Sequence, residues 1–127
     1  VYLNEENKIL SIEAFVGGYF GSSYQVSIDL ENNTATYKKL EDGYEIINDR
    51  EVVIENTEIE KFRSELESIN ILKWEKEYFA PVLDGTSWSV TIKTLDGEFE
   101  SSGSNSFPRN WNRFCSSIEK IIKSEFR

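Results

Sequence analysis

Residues 24–41 read YQVSIDLENNTATYKKLE, and this stretch decides the fold because it predicts a β-hairpin. Apolar and polar residues alternate on both sides of Asn32-Asn33, as they do in half-buried strands. Asparagine tolerates the positive backbone angles of a tight hairpin turn. Pairing outward from that turn sets Ile28 opposite Tyr37, so that one face of both strands is apolar. The stretch therefore predicts an antiparallel sheet with one face against a core.

The same two signals, alternation and turn residues, predict five more strands. Asp42-Gly43 and Asp96-Gly97 mark two further hairpins, and the second of these sets Thr94 opposite Phe99. The predicted strands are 9–16, 24–31, 34–41, 44–54, 71–79, 87–95 and 98–103.

Two segments with apolar residues at helical spacing predict α-helices. The first, 57–69, begins with a capping box in which Thr57 and Glu60 would satisfy free backbone N–H groups. The second begins near Pro108, a residue favoured in the first turn of a helix, and ends near residue 125. The element order is then four strands, a helix, three strands and a helix, without linker or repeat.

These elements predict a single domain, 1–127, of the α+β class. Helices that follow runs of antiparallel strands indicate two layers, here a sheet of about six or seven strands in meander hairpins packed against two helices. The other side of the sheet would face water and carry much of the acid. The predicted core residues are Trp88, Val90, Ile92, Phe99, Phe62, Leu66, Trp111, Phe114, Ile118 and Ile121.

The chain of 127 residues has no histidine and one cysteine. Histidine is the side chain best suited to proton transfer near neutral pH, so its absence argues against most acid–base chemistry. Zinc sites are usually built from Cys and His, and the sequence has no Asp-x-Asp-x-Asp-Gly calcium loop. Cys115 lies on the predicted helix face beside Phe114, where it fits as a small apolar residue. The composition predicts a protein with no metal, no cofactor and no enzymatic activity.

Thermal melting is expected to give the same midpoint with and without EDTA, because the sequence offers no residue set suited to a structural metal. The measurement is a pair of melting curves followed by circular dichroism. A difference of several degrees between the two midpoints would refute the prediction.

The formal net charge is −9, from 23 acidic and 14 basic residues. Residues 1–100 hold 21 of the acids against 9 bases, whereas residues 101–127 hold 2 acids against 5 bases. An acidic body disfavours nucleic acid, which is bound largely through Lys and Arg, and it disfavours anionic membrane surfaces. No apolar run approaches the ~20 residues of a membrane span, so no direct membrane insertion is expected. The charge favours a basic protein partner, or it serves only to keep the domain soluble.

Two glycine-containing loops each allow two interpretations. In 15–24, FVGGYFGSSY, the glycines would let the backbone approach a ligand between aromatic rings, or would form a bend between strands. In 101–111, SSGSNSFPRNW, free amides at a helix N-terminus would bind an anion together with Arg109. Alternatively, Asn105 caps the turn while Trp111 fixes the helix to the sheet.

The segment 84–111 resembles a pattern that recurs in small bacterial α+β domains. The pattern is Asp-Gly-Thr-x-Trp at 84–88, an alternating hairpin, and Gly-Ser-Asn-x-Phe-Pro-x-Asn-Trp at 103–111. No activity is assigned to these domains, so the resemblance implies a bacterial origin and the fold. It also implies that the matching residues hold the hairpin, the turn and the start of the helix together.

Acidic clusters supply the candidate site residues. Neighbouring carboxylates such as Glu41-Asp42 suit acid–base catalysis in principle, but with 23 acids in the chain such neighbours are expected by chance. On a protein-binding surface, acids would steer the encounter and aromatic rings would supply affinity. The candidate partner-binding residues are Tyr19, Phe20, Glu41, Asp42, Tyr44, Glu75 and Glu77.

Three function classes remain open. The favoured class is a non-enzymatic, acidic protein-binding domain of the bacterial immunity or antitoxin type, which neutralises a basic toxin. The alternative is the mature domain of an envelope lipoprotein or secreted accessory protein whose signal was removed before Val1. The third is an enzyme that uses carboxylates or Ser104. The first class predicts a cytoplasmic protein, and the second predicts a protein of the cell envelope.

Overall fold

The computed structural model describes residues 8–18, 21–42, 45–81 and 85–127, and within these ranges the sheet has seven strands. The strands are β1 (Ile9–Gly18), β2 (Ser22–Asp29), β3 (Thr34–Glu41), β4 (Glu45–Val53), β5 (Glu77–Phe79), β6 (Thr86–Thr94) and β7 (Gly97–Ser104). The helices are α1 (Asn56–Ser68) and α2 (Trp111–Ile122), and a 3₁₀ turn covers Ile71–Lys73.

The strands lie side by side in the order β4-β3-β2-β1-β6-β7-β5. Neighbouring strands are antiparallel except for β5, which runs parallel to β7. Most neighbours are hairpin partners, whereas β1 and β6 come from distant parts of the chain and join the two halves of the sheet. The predicted α+β fold, with meander hairpins and two helices, is confirmed.

The core lies between one face of the sheet and the two helices. Nine of the ten predicted core residues are buried, and Phe99 is half-buried against them. Trp74, which precedes β5, and Phe126, which follows α2, are also buried, although neither was predicted to be in the core. Burying one large apolar side chain stabilises a fold by about 1.5–3 kcal/mol, so this cluster supplies most of the driving force.

The pairing of β2 with β3 differs from the prediction by two residues, because Ile28 lies opposite Ala35 and not opposite Tyr37. The turn is longer than two residues because the Asp29 carboxylate organises it. This carboxylate accepts hydrogen bonds from the backbone N–H groups of Glu31 (3.0 Å) and Asn32 (3.1 Å). A hydrogen bond from the Asn32 side chain, together with these backbone bonds, lowers the pKa of Asp29. A shift of two residues keeps every side chain on its face, so the apolar face is unchanged.

The pairing of β6 with β7 is also offset, because Thr94 lies opposite Gly97 and Phe99 lies opposite Ile92. The turn is formed by Leu95-Asp96, and Gly97 takes the positive φ of 141° that a glycine accepts at low cost. The predicted pairing of Thr94 with Phe99 was therefore wrong, although the apolar face again stays inward.

The predicted strand 71–79 is largely absent. Asn70 adopts a left-handed conformation with φ of 55°, and the chain then makes the 3₁₀ turn before the short β5. Residues three apart share one side of a 3₁₀ helix, and Ile71 and Trp74 are both buried there. The buried residues are thus three apart, which is the spacing of a 3₁₀ turn and not the two-residue spacing of a strand.

Both helix starts differ from the prediction. Helix α1 begins at Asn56 with Glu55 at its N-cap and no side-chain capping bond, so the capping box of Thr57 is not formed. The side-chain Oδ1 of Asn56 instead accepts a hydrogen bond from Asn33 Nδ2 at 2.6 Å, which ties the helix start to the β2–β3 turn. Helix α2 begins at Trp111 and not near Pro108.

The C-terminal end of α2 is held by Arg50, which reaches across from β4. One guanidinium nitrogen of Arg50 donates to the Ile122 carbonyl (2.5 Å) and to Ser124 Oγ. The guanidinium carbon lies 5.6 Å from the centre of the Tyr37 ring, and the Tyr37 hydroxyl donates to the Glu125 carbonyl (2.8 Å). A cation at this end of a helix is favourable because the free carbonyls carry partial negative charge.

Candidate functional site

The acidic candidates from the sequence lie in two separate places. Glu41 and Asp42 are at the end of β3, whereas Glu77 is in β5 and Glu75 precedes it. Strands β3 and β5 are five strand spacings apart, which corresponds to about 24 Å. The structure therefore does not bring these four residues into one patch. Tyr19, Phe20 and Tyr44 lie outside the described residues.

The four described candidates differ in their exposure and in their hydrogen bonds. Glu41 accepts a hydrogen bond from Ser22 Oγ at 2.6 Å. Asp42 is exposed in a left-handed conformation, and Glu75 and Glu77 are also exposed. The backbone carbonyl of Glu75 accepts from Ser101 Oγ (2.6 Å), which holds the chain before β5 against β7.

A larger acidic surface lies on the side of the sheet away from the helices, which we call the open face. It exists because β1, β2, β3 and β6 alternate, and the apolar side of each of these strands is taken up by the core. The carboxylates of the open face are Glu13, Asp29, Asp49, Glu51, Glu77, Glu98 and Glu100. The basic residues of the described strands on this face are Lys38 and Lys93.

Three of these carboxylates stand in one line across the strands, which we call the carboxylate row: Glu51 of β4, Glu13 of β1 and Glu100 of β7. The residues between them are Thr36, Ser27 and Thr91, each directly opposite its neighbour in the sheet. Glu51 and Glu13 are three strand spacings apart, about 14 Å, and Glu13 and Glu100 are two, about 10 Å. The carboxylate row thus contains no basic residue.

Several carboxylates around the helices form ion pairs. The ion pairs among the described residues join glutamates of α1, α2 or the segment after α2 to nearby Lys and Arg side chains. Glu65, for example, lies 2.6 Å from Arg113, and Glu58 lies 3.6 Å from Lys123. On the open face, Lys38 is opposite Asp49 and Lys93 is opposite Glu98, whereas the carboxylate row, Asp29 and Glu77 have no Lys or Arg directly opposite them in the described strands.

A shallow depression of about 350 Å³ lies at the centre of the open face. Its lining includes Glu13, Lys38 and the ring of Phe15, which is half-buried, together with Gln25, Ser27 and Thr91. Aromatic rings in such depressions are common anchor points for a protein partner. Phe15 was singled out only as part of the glycine loop 15–24, and the carboxylate row was not selected from the sequence. The strand alternation places Glu13 outward, but only the pairing of β1 with β6 shows that it is central.

One glycine of the loop 15–24, Gly17, lies where two neighbouring strands approach each other closely. A Cβ atom on Gly17 would lie 2.2 Å from Ser23 Oγ across the β1–β2 pair, so a side chain does not fit there. A second depression, of about 380 Å³, lies beside this loop and is lined by Tyr24, Phe107 and Trp111 among others. The close approach at Gly17 is to a neighbouring strand and supports the bend interpretation.

The 84–111 segment is held together by its own side chains within the described residues. Asn105 Oδ1 accepts a hydrogen bond from the Thr86 N–H at 2.8 Å, and its backbone N–H donates to the Thr86 carbonyl at 2.8 Å. Trp88 Nε1 donates to the Ser106 carbonyl at 2.8 Å. The Trp88 ring lies 4.8 Å from Trp111, centre to centre. These contacts match the structural role that the resemblance implies.

Replacing Gly103 by Ala is expected to lower the free energy of unfolding by about 1–3 kcal/mol, because the added methyl overpacks the site. Its Cβ would lie 2.3 Å from Trp88 Nε1 and 2.6 Å from the Ser106 carbonyl oxygen, so the hydrogen bond between them would be disturbed. Urea denaturation measures the change. The matched control is Ser102→Ala on the same strand, which should stay within about 0.5 kcal/mol; equal effects of both substitutions would contradict the prediction.

The one cysteine of the chain is not suited to nucleophilic catalysis. Cys115 is fully buried, and this burial raises the pKa of its thiol to about 12, so the thiolate needed for nucleophilic attack does not form near neutral pH. Within the described residues, no group of three or more His, Cys, Asp or Glu side chains is arranged to hold a metal ion. In the same part of the chain, no helix is long and apolar enough to cross a membrane.

Comparison with known proteins found neither a family model nor a curated protein that matches this chain.

Proposed function

We propose that this chain is a non-enzymatic protein-binding domain whose open face binds a basic protein. The observation that carries the proposal is the carboxylate row, Glu51, Glu13 and Glu100, which has no basic residue within it. The row extends over five strand spacings, about 24 Å, and forms a line of negative charge that would attract a cationic partner. By contrast, carboxylates around the helices, such as Glu58 and Glu65, form ion pairs with nearby basic side chains.

The partner that suits this face best is a basic toxin domain, with the chain as its cytoplasmic immunity or antitoxin-type inhibitor. Nucleases are basic where they bind phosphates, and an inhibitor that presents carboxylates occupies the same surface. Phe15 and the depression around it would supply the apolar contact that charge alone does not provide. The net charge of −9 adds long-range attraction to the same partner.

The first experiment is capture from a lysate of the organism that makes this protein, with the purified chain immobilised. Three forms are compared: the wild type, the row variant E13K/E51K/E100K, and the control variant E31K/E55K/D96K. The control residues are exposed and lie in or beside turns and not on the open face, and both variants change the net charge equally. Basic proteins retained by the wild type and the control, but not by the row variant, are identified by mass spectrometry.

The second experiment tests the inhibitor role directly. The captured protein is expressed in a laboratory bacterium alone, with the wild-type chain, or with the row variant. Growth should stop with the captured protein alone, recover with the wild-type chain, and fail to recover with the row variant. A captured protein that is harmless when expressed alone would reject the inhibitor role, and equal rescue by both forms would reject the open face as its site.

A further inference from the structure

Strand β4 forms one margin of the sheet, with β3 on one side and, among the described residues, no strand on the other. It has nine residues, whereas β5 at the opposite margin has three. The outward backbone N–H and C=O groups of a marginal strand are free to pair with another extended segment. A nine-residue strand offers enough of these groups for a stable addition, and three residues do not.

The side chains of β4 are exposed along most of its length. Ile46 is 51% exposed, Ile47 is 48% exposed and Val53 is 84% exposed. Arg50 and Val52 are the partly buried residues of the strand, and both point to the helix side. If an added strand covered these exposed apolar side chains, the removal of apolar surface from water would stabilise the strand pairing.

The accessible charge of β4 is negative. Glu45, Asp49 and Glu51 are exposed, whereas the guanidinium group of Arg50 is directed to the end of α2. Asp49 and Glu51 are two residues apart and lie on the open face, opposite Lys38 and Thr36 of β3. A strand added at this margin would therefore meet two carboxylates on the same face.

These charges disfavour a second copy of this chain as the added strand. Antiparallel self-pairing centred on Asp49 or on Glu51 would place that carboxylate opposite its own copy. Self-pairing centred on Arg50 would place Asp49 opposite Glu51 twice. Like charges directly opposite each other destabilise a strand pair, and acidic residues on marginal strands commonly prevent such association.

We propose that β4 accepts an extended basic segment of the partner protein as an eighth strand. This inference rests on the proposed function, since it takes the partner to be basic, and it adds how the partner is held. Lys or Arg residues two apart would face Asp49 and Glu51, and apolar residues would cover Ile46 and Val53. Main-chain hydrogen bonds supply affinity in such strand additions, and the side chains supply selectivity.

The test uses the synthetic peptide Val-Thr-Lys-Thr-Lys-Thr-Val, at millimolar concentration and low salt, because Ile46, Asp49, Glu51 and Val53 lie on one face and so need Val and Lys at alternate positions of the added strand. The control peptide has the same Lys and Val residues, but Pro replaces two of the Thr residues and prevents strand pairing. Amide hydrogen exchange is followed residue by residue by NMR. We expect the first peptide to slow exchange of the outward amides of β4 at least about tenfold, and the control peptide to leave them unchanged.

Two variants locate the binding site of the peptide. E45K/D49K changes β4 alone and should abolish the protection, whereas E13K/E100K changes the open face away from β4 and should keep it. Near-UV circular dichroism confirms that both variants are folded. Absence of protection in the wild type, or loss of protection with E13K/E100K but not with E45K/D49K, would overturn the inference. Capture of a basic protein by the open face without protection of β4 would leave the proposed function intact.

Discussion

Replacing Phe114 by Ala is expected to lower the free energy of unfolding by about 3–5 kcal/mol, because a large buried ring is lost and a cavity remains. Phe114 is fully buried where α2 meets the sheet. Its ring centre lies 5.4 Å from that of Trp74, 5.6 Å from that of Trp111 and 6.4 Å from that of Phe126. Aromatic pairs at these distances add to the stability from burial, so the loss should fall in the upper part of the range.

Urea denaturation followed by tryptophan fluorescence measures this loss. The matched control is Phe79→Ala, the same substitution at a ring that is 74% exposed in β5, where the change should stay below about 0.5 kcal/mol. A loss below about 1 kcal/mol for Phe114→Ala would mean that this face of α2 is not packed against the sheet.

Replacing Arg50 by Ala is expected to lower the free energy of unfolding by about 2–3 kcal/mol. The substitution removes the charged donor from the Ile122 carbonyl and from Ser124, and it removes the contact with the Tyr37 ring. The end of α2 would then lose its cationic partner in a partly buried site. The loss should depend only weakly on salt, because charges at partly buried sites are screened less than exposed ones.

Arg113→Ala is the matched control for Arg50. Arg113 also donates to two groups, Glu65 at 2.6 Å and Ser68 at 2.9 Å, but its side chain is 48% exposed. Such surface pairs contribute about 0–1 kcal/mol, and salt weakens them. Equal losses for the two arginines would show that Arg50 does not anchor the helix.

The fold class was predictable because its signals are local. Alternation along 24–41 and the apolar stripe of α2 each arise from residues close in sequence, and they set which face turns inward. The pairing of β1 with β6 was not predictable in this way. The residues close to β1 in sequence do not determine that β6 is its partner, because this pairing depends on how the whole core packs.

The errors in register and in the candidate site have the same origin. The Asp29 carboxylate lengthens the β2–β3 turn through hydrogen bonds that the pattern of apolar residues does not reveal. Glu13 and Glu51 are 38 positions apart in the sequence, yet they stand in one row of the sheet. Choosing acids by their proximity in sequence selected Glu75 and Glu77 instead, which lie at the far margin.

The most direct measurement of the proposed role of the carboxylate row is the association rate constant with the captured basic protein, determined by stopped flow at low and at physiological salt. For the wild type and for E31K/E55K/D96K we predict a fast association that slows as salt rises, because screening shortens the range of the field to about 8 Å. For E13K/E51K/E100K we predict an association at least about tenfold slower at low salt and nearly independent of salt. Equal rate constants for the row variant and the wild type would contradict binding through the carboxylate row of the open face.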